Sequence, residues 1–236
     1  SFSKNTKLIL INTPHNPSGK MFMSSELEII SSLILKYDTY AVCDEVYEHI
    51  IFDNREHISL MSLPRMRDRC IRIGSAGKTF SMTGWKVGYL TASANLLSII
   101  SKAHQFITFT TPPMLQTAVS HGLAMGDTYF NSIGADLQEK RDHLACGLNE
   151  AGFEVLDTQG TYFLIADIAR TGLDLTDVNF CEMMTKKAGV TMLPISAFYS
   201  ASGDNKDIPS NYVRFCFAKA NDLLDLASKK LKTFIF

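Results

Sequence analysis

The sequence has one tryptophan, few cysteines and no excess of charge of either sign, and each shortage narrows what the chain can do. Lys and Arg number 23 against 24 Asp and Glu, a formal charge of -1, which leaves no electrostatic footprint for nucleic acid or an anionic membrane surface. A small, locally neutral partner is the expectation. The five cysteines, Cys43, Cys70, Cys146, Cys181 and Cys216, lie far apart and form no CxxC pair. That spacing argues against a disulfide framework and a thiolate zinc site, and fits reduced thiols in a cytoplasmic setting. Most sit in apolar runs such as YAVCDE and VRFCFA, where cysteine acts as a small buried hydrophobe. The six histidines form neither HExxH nor a ligand-spaced cluster, so no catalytic metal is expected. No apolar run approaches the ~20 residues that span a bilayer.

What is present is a chain of 236 residues, 46% hydrophobic, enough for one large domain or two modest ones. KLILIN reads as a strand, SSELEIISSLILKYD as an amphipathic helix with a Ser cap before Glu26, and TYAVCDE as a buried strand ending in acids. Strand, helix and strand at this spacing predict a parallel βαβ unit. CIRIGS and WKVGYLTA read as further strands, while ANLLSIISKAHQF and PPMLQTAVSHGLAM read as helices, with Pro113 suited to a first turn. A long helical pattern runs from Asp127 to Ala151. Beyond it, strands at TYFLIAD, VTMLPI and NYVRFCFA alternate with a helix closed by Gly189 and a last helix from Asn221, an α+β lobe appended to an α/β one. The chain opens on Ser1 close to an apolar strand, which suggests that the first part of a longer protein precedes it.

Three polar clusters follow strands: HNPSG after the first, CDEVY at the end of the second, and SAGK at the end of the third. Open α/β sheets bind ligands beyond the carboxyl ends of their strands, so these clusters are expected to converge. Together they hold the groups that pyridoxal phosphate (PLP) needs: a lysine for its aldehyde, an acid for its pyridine nitrogen, donors to its phenolate and groups for its phosphate. Lys78, Asp44, Tyr47 with Asn16, and Ser75 with Lys86 are the residues of matching type.

At this point the sequence resembles the fold-type I PLP-dependent aminotransferases. NTPHNPSGKMF, CDEVYE, SAGKTFSMTGWKVGY and NYVRFCFAK carry the likeness, which is nearest to the kynurenine, glutamine and methionine aminotransferase branch. The resemblance implies a three-layer α/β large domain with a mainly parallel sheet, present in part over 1–126, an interdomain helix over 127–151, and an α+β small domain over 152–236. It implies that Lys78 is the Schiff-base lysine and then the general base, that Asp44 pairs with the pyridinium, and that Tyr47 and Asn16 bond the phenolate. Ser75 and Lys86 would hold the phosphate, Lys86 as a point charge where many relatives carry arginine. Arg214 would grip the substrate carboxylate, with Asn16 beside the substrate. Phe109 matches a position where relatives send an aromatic residue into a neighbouring subunit's site, which implies a homodimer; a plain core phenylalanine is the competing reading. His15 reads as a turn or surface histidine.

Taken singly, these residues have plainer readings: Asp44 as a turn-capping acid, Tyr47 as a core-edge residue, Asn16 as a turn former before proline, Arg214 as an ion-pair residue and Lys78 as a solvated amine. Their joint spacing favours the site. The implied function is transamination between an aromatic, methionine-like or glutamine-like amino acid and a 2-oxo acid. A PLP-dependent C–S β-lyase and a PLP-binding sensor domain of a transcription regulator are the alternatives. In the family the stacking aromatic and a Gly-rich phosphate loop come from an earlier part of the chain, so this piece alone is expected to be impaired.

Overall fold

The computed structural model describes residues 2–200 and 208–235. The chain divides into two compact units, Ser1–Pro14 with Met21–Gly134, and His15–Lys20 with Ala135–Phe236.

In the first unit, β1 (Leu8–Asn12), α1 (Ser24–Lys36) and β2 (Tyr40–Asp44) form the expected crossover, and β1 and β2 pair in parallel. β3 (Cys70–Ser75) joins β2 in parallel, the one-turn helix α2 (Ala76–Thr79) follows, and β4 (Gly88–Thr91) closes the order β1-β2-β3-β4 antiparallel to β3. Strand alternation decides which residues are buried. Ile11, Ala41, Cys43 and Cys70 share one cluster with Leu27 and Ile34 of α1, seven positions and thus two helical turns apart. Each fully buried aliphatic side chain there contributes about 1.5–3 kcal/mol. The opposite phase of the strands leaves Leu8, Leu10 and Tyr40 exposed.

α1 begins two residues earlier than the Ser cap before Glu26 would place it. Met23 is the cap residue, and its N–H donates to the Glu26 carboxylate at 2.8 Å, which draws Ser24 into the first turn. α3 (Ala94–Ile107), α4 (Pro113–Leu123) and α5 (Asp127–Glu150) follow where the patterns predict, with Pro113 in a first turn. The division between the units falls inside α5.

The second unit holds an antiparallel sheet of β5 (Glu154–Val155), β6 (Phe163–Asp167), β7 (Leu193–Pro194) and β8 (Tyr212–Cys216) in the order β5-β6-β8-β7. α6 (Asp177–Met183) runs into a wider π turn that ends at Gly189, φ 68°, and α7 (Asn221–Ile235) follows β8. Phe153 stands edge-on to Phe180 and Phe215, with ring centroids 5.8 and 5.5 Å apart, a geometry aromatic quadrupoles favour. The run VTMLPI gives only a two-residue strand, because Pro194 has no N–H to extend the ladder. β5 was not legible in the sequence, being two residues long. Gly19 (φ +71°) belongs to this unit: its carbonyl accepts from the N–H groups of Gln159 and Gly160, and a Cβ there would come within 2.8 Å of Thr158. Only glycine meets both demands without strain.

Candidate active site

The residues singled out from the sequence fall into two groups, each within one unit. In the first, parallel register sets Asn12 beside Asp44 and Asp44 beside Ile73, so the strand ends that carry Asp44 and Ser75 are adjacent. The Asn12 amide donates to the Asp44 backbone carbonyl at 3.0 Å, and the Val46 N–H reaches the Asp44 carboxylate at 3.4 Å. Asp44 is half-buried. Burial pushes its carboxyl above the usual range and the Glu45 charge adds to that, against the opposing pull of the Val46 N–H and the Lys78 charge. A carboxylate held in this way gains from a cation placed beside it.

Lys78 does not stand in a loop, as its Gly- and Ser-rich surroundings suggest, but on α2, where β3 turns into a single helical turn. Its Nζ lies 5.8 Å from the ring centroid of Tyr47, which is itself buried. Ser75 is the cap residue of that turn, while Lys86 is exposed and left-handed at φ 57°, just before β4. Phe109 is 79% exposed with φ 65°, so the core reading fails within this unit. The chain turns there between α3 and α4 and leaves the ring outside.

In the second group, Arg214 projects from the middle of β8. Its guanidinium lies 3.9 Å from the ring of Phe163 and 5.1 Å from that of Phe198, and its Nη1 donates to the Asn16 side-chain oxygen at 2.6 Å. Two rings and an amide fix the plane of the guanidinium, which leaves an Arg suited to a bidentate carboxylate contact. Asn16 thus stands with Arg214, in the unit that holds the 15–20 segment. His15, which bonds Ser18 at 2.7 Å through Nδ1, lies in the same turn. Phe163 and Phe198 were missed in the sequence. Phe163 is carried to Arg214 by the β6–β8 register, in which Ile165 faces Arg214, and spacing along the chain does not encode that.

A half-buried acid at one strand end, a lysine on the turn after the next strand and a buried tyrosine beside that lysine are the residue types that a group with a basic ring nitrogen and a lysine-reactive carbonyl would need. The donor types fit PLP, and the acid whose burial calls for a cation is the observation that carries the fit. Comparison with known proteins then gives the family. The chain belongs to the aminotransferases of class I and II, whose family model matches residues 1–229. It is 39% identical to kynurenine–oxoglutarate transaminase 3 of Rattus norvegicus over 98% of this chain and 54% of that protein. Methionine aminotransferase of Escherichia coli K12 is 36% identical, over 98% of this chain and 58% of its own length. The structure of N-succinyldiaminopimelate aminotransferase from Mycobacterium tuberculosis superposes with a TM-score of 0.93 at 36% identity, covering 98% of this chain and 59% of that one. The chain therefore spans little more than half the length of these relatives. Among the described residues no helix is long and apolar enough to cross a membrane.

Proposed function

We propose that the protein to which this chain belongs transfers an amino group from an aromatic, methionine-like or glutamine-like amino acid to a 2-oxo acid, with PLP as cofactor. The observation that carries the reading is Asp44 at the end of β2 with Lys78 on the helical turn that follows the adjacent strand β3. PLP would supply an amine-reactive carbonyl and an electron-withdrawing ring. Lys78 would hold it covalently and, once free, take the proton from the substrate Cα and deliver it to the carbon that was the cofactor's carbonyl. Asp44 would keep the ring nitrogen protonated, and Tyr47 and Asn16 would bond its phenolate oxygen. Ser75 and Lys86 would receive the phosphate, and Arg214 the substrate carboxylate.

Phe163 and Phe198 support an apolar or aromatic donor, in keeping with the kynurenine and methionine named for relatives. Exposed Phe106, Ile107 and Phe109 support a homodimer, and the scattered cysteines a cytoplasmic setting. The test is a scan of amino donors against one 2-oxo acid, with PLP present. Aromatic or methionine-like donors should turn over well ahead of aspartate. Elimination of a thiol from cysteine conjugates without 2-oxo acid turnover would instead establish the lyase.

A further inference from the structure

Glu45 follows the last residue of β2 and its N–H continues the ladder to β3, so the alternation of the strand carries on and Asp44 and Glu45 stand back to back. Asp44 shares its face with Ile73 and, two residues on, Ser75. Glu45 shares the other with Cys43 and Arg72. There the Glu45 carboxylate is fully buried, yet every direction around it is answered. Arg72 Nε donates to it at 2.7 Å and the Ser59 hydroxyl at 2.8 Å, while His57 Nε2 lies 3.1 Å away. Its own N–H donates to the Ile73 carbonyl at 3.0 Å and continues the β2–β3 ladder past Asp44.

The cluster extends further. Arg72 also bonds Glu48, and Glu48 accepts from the Tyr89 hydroxyl at 3.4 Å. His49 Nε2 lies 3.8 Å from Glu48. Gly74 leaves room for this, since a Cβ there would come within 2.3 Å of the Tyr89 ring. Both ring nitrogens of His57 are buried, and neither makes an aligned hydrogen bond among the described residues. Two carboxylates thus face one guanidinium, with the His57 ring beside the Glu45 carboxylate. Burying a charge in this way is costly, and burying it immediately behind Asp44 needs a reason.

We propose that Glu45 is a positioning residue for Asp44: anchored by Arg72, Ser59 and His57 on the reverse of the sheet, it fixes the strand end that presents Asp44 and adds negative potential behind it. The proposal rests on the PLP reading for its purpose but not for its test. A second negative charge behind Asp44 makes the pocket a poorer place for an unpaired carboxylate and a better one for a cationic ring nitrogen. The charged and titratable groups around Glu45 are Arg72 on β3, Tyr89 on β4, Glu48 and His49 after β2, His57 before Ser59, the Cys43 thiol, and Asp44 with Lys78 across the sheet. Glu45 itself is pushed up by burial, but the closeness of His57 and the bonds from Ser59 and Arg72 outweigh that and hold it below the usual carboxylate range.

The test compares Glu45→Gln with Glu48→Gln, which removes a carboxylate from the same guanidinium but not from behind Asp44. The titration of the Asp44 carboxyl is followed by carbon NMR in the cofactor-free chain, and PLP dissociation is measured separately. Glu45→Gln should move the Asp44 midpoint down and weaken PLP by about tenfold, the equivalent of one pKa unit. Glu48→Gln should move both by much less at a similar loss of thermal stability. An Asp44 midpoint unmoved by Glu45→Gln, or moved equally by the two variants, overturns the proposal. Full-length protein in which Glu45→Gln moves the Asp44 midpoint, yet which binds no PLP as wild type, upholds the coupling and refutes the cofactor reading instead.

Discussion

In the first unit the chemistry-bearing side chains stand at strand ends and on the turn beyond, whereas in the second Arg214 lies in the middle of a strand, framed by two rings. The packing differs in the same sense. No residue of α3 is buried, and Ile99, Phe106 and Ile107 are all largely exposed, while α7 buries Leu224 and Leu231. A strand end opens onto the loops beyond the sheet and can offer a carboxylate or amine to a ligand, at the cost of leaving polar groups half-buried. A mid-strand residue gives up that freedom and gains a fixed direction. The first arrangement suits a group that must react, the second one that must only hold.

Substitutions can break this contrast. The largest effect is expected for Asp44→Asn, which should lower turnover by about 10²–10³-fold by removing an electrostatic partner from the reacting group. Because burial holds the Asp44 carboxyl above its free value, ionising it costs the fold stability as pH rises past 3.8. The same variant should therefore melt slightly higher than wild type at neutral pH without cofactor, an effect kept small by partial solvent exposure. A melting point that falls together with activity would make Asp44 a structural residue.

Arg214→Lys should come next, raising the amino-acid KM by about 10–100-fold with PLP still bound, since an ammonium replaces a planar fork. Steady-state kinetics beside a PLP titration separates the two. Equal loss of cofactor would remove the distinction between a reacting and a holding unit.

Gly19→Ala tests how firmly the Asn16 turn is held. A left-handed φ and the approach of Thr158 predict a loss of about 1–2 kcal/mol in thermal or urea unfolding, with KM affected more than kcat. The smallest effect concerns acid. Glu45 stabilises the fold fully above the free-carboxylate value of 4.5 and loses that contribution as pH falls through its lower folded value. Glu45→Gln should flatten this part of the stability profile, as read by melting points between pH 3 and 6.

The parts of this account that were legible in the sequence are those written locally. The βαβ crossover, Pro113 in its turn and the strand-end motifs each depend on a few consecutive residues whose periodicity or turn chemistry has one reading. What was not legible depends on register and distance. Phe163 and Phe198 reach Arg214 only through the β6–β8 pairing and the chain that follows β7. Glu45 reads as a second strand-end acid until alternation turns it toward Arg72 and His57, both supplied by later segments. The one-turn helix under Lys78 is too short for any period to show.

The central claim is that Lys78 is the residue that carries the cofactor, and borohydride reduction of the PLP-loaded protein followed by peptide mapping tests it most directly. The label should fall on Lys78 alone and vanish in Lys78→Ala, while the exposed Lys86 remains unmodified. A label on Lys86, or an undiminished label in Lys78→Ala, would contradict the account.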